Sequence, residues 1–205
     1  MKIAGQAIPH ESAREHVTGD ALYTDDLLLR FPRPLHAWPV MAPHAHALVK
    51  ALDVSSALLE PGVATVLTSA DVPGEGDSGS NRRDEPLFPT EVLYHSQPVA
   101  WVLGETLEAA QRGAGRVLVE YEPLPAILTI EDAIAEGSFH SAPLRLARGD
   151  ASVIESSPLR FEGELKIGGQ EHFYLETQCA IAWLDETGGV AAHSSTQRTP
   201  RKHSR

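Results

Sequence analysis

Apolar positions fall in short runs between residues 35 and 125, and the spacing within each run predicts an element. Residues 35–41 and 47–54 read as strands, the second with imperfect alternation through Leu48, Ala51 and Leu52. Residues 55–59 make a helical turn that Pro61-Gly62 stops, and the β-branched run 63–67 is a buried strand. Thr68, followed three residues later by Asp71, has the form of a capping box. The clearest unit follows. Residues 98–103 (Pro-Val-Ala-Trp-Val-Leu) form a continuous apolar run, the pattern of a strand covered on both faces. Thr106 then caps a helix that places Leu107, Ala110, Ala114 and Val117 on one side. Glu108 in its first turn and Arg112 and Arg116 later suit the helix dipole. Residues 117–121 return as a strand ended by Pro123 and Pro125. Strand, helix and strand with short joints predict a crossover unit, right-handed if its strands are parallel.

Around this block the pattern thins. The first 34 residues are polar and end in Phe31-Pro32-Arg33-Pro34, a lead-in rather than an element. Residues 74–83 hold Gly, Ser, Asp and Asn with almost nothing to bury, which predicts an exposed loop. A short helix is expected over 131–136, started by Thr129 with Asp132 three residues on. The domain boundary falls in the mixed connector 137–160, and 161–167, 177–184 and 190–194 read as strands of a second domain.

Composition narrows the function classes. The net charge of −11 argues against nucleic-acid and anionic-membrane partners, which reward clustered Lys and Arg. The single cysteine, Cys179, excludes an internal disulfide and an all-cysteine metal centre. The start turns polar at once, without a signal-peptide core, and no apolar run approaches the roughly 20 residues that cross a bilayer. A cytoplasmic chain is the expectation.

Few residues offer chemistry. His44 and His46 could be two imidazole ligands, but neither a carboxylate nor a cysteine lies nearby in sequence, so a polar turn is preferred and no metal site is expected. His172 and Glu176 could pair for acid–base work, a common spacing with little specificity. Ser194-Ser195 lacks a nucleophile elbow, and Cys179 sits in an apolar strand pattern that suits an inert thiol. Gly168-Gly169 precedes Gln170 without the lysine and longer glycine spacing of a phosphate loop. The pair lets backbone approach a ligand or strand and presents an amide that donates and accepts. A turn or bulge with Gln170 solvated explains the same residues.

The string Gly168-Gly169-Gln170-Glu171-His172-Phe173-Tyr174-Leu175-Glu176-Thr177 resembles the motif that opens the molybdopterin-binding region of the xanthine dehydrogenase and aldehyde oxidase family. Further matches occur in the expected order. His16-Val17-Thr18-Gly19-Asp20-Ala21-Leu22-Tyr23-Thr24-Asp25-Asp26 resembles the family's lead-in segment, over 1–34 here. Ala42-Pro43-His44-Ala45-His46-Ala47, Gln97-Pro98-Val99-Ala100 and Val119-Glu120-Tyr121-Glu122-Pro123-Leu124-Pro125 resemble stations of its α/β hammerhead domain.

The resemblance implies an α+β chain: a hammerhead domain over 35–136, the connector 137–160, and the β-rich opening of a molybdopterin-binding domain over 161–197. It implies a molybdenum-binding subunit of the xanthine dehydrogenase type, hydroxylating hypoxanthine or xanthine. Aldehyde oxidoreductase, N-heterocycle hydroxylase and a non-catalytic docking module are the alternatives. The cofactor implied is molybdenum–molybdopterin, with iron–sulfur clusters and FAD on partner subunits or domains. The remainder of the molybdenum subunit is a further partner. Gln170 matches the glutamine that hydrogen-bonds the molybdenum centre's surroundings, and Gly168 and Gly169 the glycines that let backbone come close. The family's general-base glutamate, substrate-orienting arginine and later pterin loop have no counterpart here. No catalytic residue, activity or bound cofactor is therefore expected of this chain alone.

After Ser194-Ser195-Thr196-Gln197 the family reads His-Pro-Ser-Glu-Thr-Gln, where this chain has Arg198-Thr199-Pro200-Arg201-Lys202-His203-Ser204. The codons CGC ACC CCT CGG AAA CAC AGC encode the latter, and removing the first two bases yields His-Pro-Ser-Glu-Thr-Gln. A frameshifted tail over 198–205 is the expectation, which the nucleotide sequence decides.

Overall fold

The computed structural model describes residues 4–79 and 84–196, and the chain divides into two compact units. One runs from Leu35 to Glu162; the other joins the residues up to Pro34 with those from Gly163 onward. The expected tail over 198–205 and part of the expected loop (80–83) lie outside the described residues.

The first unit holds two three-stranded antiparallel sheets. Strand β1 (His36–Met41), β3 (Val63–Leu67) and β5 (Pro98–Gly104) form one sheet, with β5 central. Strand β2 (Ala47–Asp53), β4 (Glu91–Val92) and β6 (Leu118–Pro123) form the other, with β2 central. Pro39 and Pro123 lie on outer strands, where a missing N–H need not break the sheet. Every residue of β5 is buried or half-buried, as its unbroken apolar run predicts. The imperfect alternation of β2 also has a cause. Val49 pairs with Tyr121 and Ala51 with Glu120, so the register slips at Lys50 and the side-chain faces change there.

The core draws on both sheets: Val40, Ala47, Val66, Val92, Val99, Ala100 and Val102 are buried together. The one-turn helix α2 (Ser55–Leu58) adds buried Ala57. Helix α3 (Leu107–Ala114) packs on β5 and β1, started by the Thr106 hydroxyl, which accepts from Ala109 N–H at 3.1 Å. Its buried residues are Ala109, Ala110 and Gly113; of the predicted stripe Ala110 is buried and Ala114 and Val117 pack against the core, while Ala109 and Gly113 were not foreseen. Leu107 is 40% exposed, and Val117 lies past the helix end. Small residues let the helix sit close to the sheet, and a pattern weighted by bulky side chains does not register them. Outside the helix, Glu60 receives Arg112 at 2.7 Å and Arg116 at 3.8 Å.

The predicted crossover is corrected. Strands β5 and β6 belong to different sheets, and each pairs antiparallel with its neighbours. Apolar runs fix which segments are strands, but sheet membership depends on pairings far apart in sequence. Helix α4 (Ile130–Ala135) forms where expected, its cap Thr129 accepting from Asp132 N–H at 3.0 Å. A 3-10 turn at Ala151–Ser156 occupies part of the predicted connector.

In the second unit the lead-in is not free of structure. It holds α1 (Ala13–Thr18) and a 3-10 helix at Thr24–Arg30. Helix α1 buries no residue, so it left no apolar periodicity to read. Strands β7 (Ala180–Leu184) and β8 (Val190–Ser194) form an antiparallel hairpin, later and shorter than 177–184 for the first. Residues 161–167 form no strand, although their apolar and polar positions alternate. A strand needs a hydrogen-bonding neighbour as well as alternation, and none is paired with them among the described residues.

Candidate functional site

The stretch 168–175 leads toward the β7–β8 hairpin as exposed, irregular chain, and Glu176 after it is half-buried. Gln170 presents its amide to solvent. A Cβ built on Gly168 or Gly169 meets nothing within 4 Å, and neither residue has left-handed backbone. Packing among the described residues therefore does not require glycine at either position. Phe173 has a left-handed backbone (φ +52°), uncommon for a bulky side chain, and its N–H donates to Glu171 Oε1 at 3.2 Å. The apolar side chains around the motif point outward: Leu165 and Ile167 are each 80% exposed and Phe173 92%.

His172 and Glu176 do not form the acid–base pair considered above. His172 stacks on Tyr174 with ring centroids 5.4 Å apart. Glu176 Oε1 accepts from the Thr24 N–H at 2.8 Å, tying the motif to the first turn of the 3-10 helix. Thr24 is itself buried, so the carboxylate satisfies a donor that water does not reach freely. No local pattern announces this contact, because its partners are 152 residues apart.

The other candidates have structural tasks. Ser195 Oγ accepts from the Cys179 N–H at 2.9 Å and donates to the Thr177 carbonyl at 2.9 Å, closing the open end of the hairpin. That use leaves no activated nucleophile. The Cys179 thiol donates to Asp25 Oδ1 at 3.3 Å. Partial burial, then the Asp25 carboxylate, pushes its pKa above the ordinary thiol value, which disfavours the thiolate. Phe31 packs on Trp183 at 5.2 Å, adding to the same lead-in-to-hairpin contact.

In the other unit, His44 lies edge-on to Tyr121 at 5.0 Å. His46 is engaged by a carbonyl and a carboxylate: Nδ1 is 2.6 Å from the Pro125 oxygen and Nε2 2.9 Å from Glu91 Oε1. Among the described residues there is no group of three or more His, Cys, Asp or Glu placed to hold a metal ion. Gln97, in a motif segment, is a buried brace: its Oε1 accepts from the Leu93 N–H at 2.7 Å. No helix among the described residues is long and apolar enough to cross a membrane.

The architecture is a mixed α+β chain whose exposed glycine–glutamine motif precedes a β-hairpin, and two family models match it in sequence. The aldehyde oxidase and xanthine dehydrogenase a/b hammerhead domain matches residues 18–125, and the molybdopterin cofactor-binding domain matches 135–204. The chain belongs to the aldehyde oxidase and xanthine dehydrogenase family, with a hammerhead domain followed by the start of a molybdopterin-binding domain. The second match runs through the tail expected to be frameshifted.

Xanthine dehydrogenase of Oryza sativa subsp. japonica is 38% identical over 204 residues, covering 97% of this chain and 15% of the relative. That of Dictyostelium discoideum is 40% identical over 195 residues, covering 94% and 14%. Among solved structures, the aldehyde oxidoreductase from Desulfovibrio gigas superposes with a TM-score of 0.77 at 27% identity, covering 91% of this chain and 23% of that one. Quinoline 2-oxidoreductase from Pseudomonas putida 86 gives 0.72 at 26%, covering 94% and 27%. The chain thus spans about 15% of the length of the curated relatives it matches.

Proposed function

We propose that this chain supplies the hammerhead domain and the opening of the cofactor-binding domain of a molybdenum hydroxylase of the xanthine dehydrogenase type. In it, Gly168, Gly169 and Gln170 face the molybdenum–pterin group. The observation that carries this reading is the glycine pair. Its bare backbone and the neighbouring Gln170 amide are exposed, and nothing among the described residues packs where a Cβ would lie. That donor set fits a pterin-bearing ligand with hydrogen-bonding edges: peptide groups unshielded by side chains, and an amide that both donates and accepts. The group, when bound, supplies the two-electron redox chemistry. This chain's residues orient it and offer hydrogen bonds; none acts as a general base.

A purine such as hypoxanthine or xanthine is the proposed substrate, supported by the xanthine dehydrogenase relatives. The structural likeness to an aldehyde oxidoreductase and a quinoline oxidoreductase favours an aldehyde or N-heterocycle as the second reading. Iron–sulfur and FAD-bearing parts take the electrons. The remainder of the molybdenum subunit covers the outward apolar side chains of Leu165, Ile167, Phe173 and Leu175.

The test is made in the complete molybdenum subunit assembled with its redox partners. Gln170→Ala and Gly169→Ala should each lower bound molybdenum and the rate of xanthine oxidation, with folding unchanged. Full cofactor content and rate in both variants would sink the assignment. Comparing xanthine, an aldehyde and quinoline as substrates separates the two substrate readings.

A further inference from the structure

His46 stands immediately before β2, the central strand of its sheet, and its ring reaches acceptors on both sides. Glu91, at 2.9 Å from Nε2, belongs to β4; Pro125, whose oxygen is 2.6 Å from Nδ1, follows the end of β6. The His46 backbone carbonyl also accepts from the Leu124 N–H at 3.0 Å. A neutral imidazole carries one N–H and can donate to only one of two acceptors. Only the imidazolium, with both nitrogens donating, completes the arrangement. We propose that His46 is a proton-operated clip, holding β4 and the segment after β6 to β2 when protonated and, when neutral, keeping its one N–H on the Glu91 carboxylate and releasing the segment after β6.

The surroundings support a proton at this position. Glu91 is the charged group in contact with the ring. Lys50 on β2 and Glu122 on β6 pair with each other at 3.0 Å, and His44 is turned toward Tyr121. The hydrogen bond to the Pro125 carbonyl, followed by that to Glu91, holds the imidazole pKa above its ordinary value. A folded-state pKa above the unfolded one gives stabilisation that is complete below the unfolded value and lost as pH rises through the folded one. The clip therefore closes on the acid side and opens toward alkaline pH. Its groups are partly solvated, so added salt weakens it.

The experiment is a side-chain nitrogen NMR titration of the full 205-residue chain, with His46→Gln to assign the signal. Hydrogen exchange at the Leu124 amide is followed in parallel, corrected for intrinsic base catalysis. The expected result is titration of His46 above about 6.5, a lower midpoint in Glu91→Gln, and loss of Leu124 protection over the same range. In His46→Gln that protection should not vary with pH. A midpoint at or below the ordinary value overturns the proposal. So does an unchanged midpoint in Glu91→Gln, or Leu124 protection indifferent to the titration.

Discussion

Replacing Gly113 by alanine sets two measurable effects against each other. In a helix interior, alanine is favoured over glycine by about 0.8–1 kcal/mol. Against that, a Cβ at this position lies 2.6 Å from Val63 Cγ2 and 2.9 Å from Val102 Cγ1, where carbon contacts are comfortable near ~3.5–4.0 Å. Val102 is fully buried in the middle of β5 and stiff at its branched Cβ, so it does not yield. Val63, at the start of outer strand β3 and only partly buried, is the neighbour able to move. Overpacking of this kind costs about 1–3 kcal/mol, and two contacts below 3.0 Å place it in the upper part of that range. The clash wins, leaving a net loss of about 1–2 kcal/mol once the helical gain of ~1 kcal/mol is subtracted. The assay is urea unfolding followed by tryptophan fluorescence in a Trp183→Phe background, so that Trp38 and Trp101 on β1 and β5 report. Val63→Ala removes the nearer methyl, so Gly113→Ala should cost less in that background, with a coupling of at least about 0.5 kcal/mol. A neutral or stabilising Gly113→Ala, or no coupling to Val63, would refute the close helix–sheet packing.

Two predictions concern other local devices. Thr106→Ala removes the acceptor for the Ala109 N–H and should cost about 1 kcal/mol by the same urea assay, with Thr106→Ser restoring most of it. In the β7–β8 turn, Asp185 Oδ1 accepts from the Thr187 hydroxyl, the Thr187 N–H and the Gly189 N–H. The bond from the Thr187 hydroxyl, then the backbone bonds, hold this carboxyl below its ordinary pKa. A depressed folded pKa contributes stability above the unfolded aspartate value and loses it as pH falls through the folded one. Hairpin amide protection should therefore drop in acid, below the ordinary aspartate range, and Asp185→Asn should remove that contribution. An identical acid profile in the variant would count against the turn's role.

The legible parts of this fold are those whose signals are local. The run 98–103 fixed β5 because both its faces are covered, and Thr106 and Thr129 fixed helix starts because a cap is decided within three residues. Pairing was beyond such reasoning, since β5 joins β1 and β3 while β6 joins β2, and no run of residues names its neighbour. Ala109 and Gly113 on the buried face of α3 were missed for a different reason: glycine and alanine bury little area yet decide how near the helix comes to the sheet. Glu176 and Ser195, which tie the motif and the hairpin, act through partners remote in sequence, and Glu176 was weighed as acid–base chemistry instead.

Glycines separate two kinds of constraint. At Gly104, a Cβ would lie 2.6 Å from the Ala110 nitrogen and 2.9 Å from the Thr106 oxygen; at Gly113, two valine methyls intervene. The reason for glycine in both cases lies inside the chain, and alanine there should be felt as lost stability. At Gly168 and Gly169 the space is open and the backbone right-handed or extended, so alanine should fold as well as glycine. If anything it should fold slightly better, through the reduced freedom of the unfolded chain. A reason for glycine that lies outside the chain leaves no packing signature within it, so the residues alone left a solvated turn as an equal reading and resemblance pointed to the cofactor. The same difference makes the cofactor assignment testable. A loss of bound molybdenum in Gly169→Ala without a loss of stability belongs to the ligand contact, whereas a parallel loss of both would mean that the glycine serves the fold.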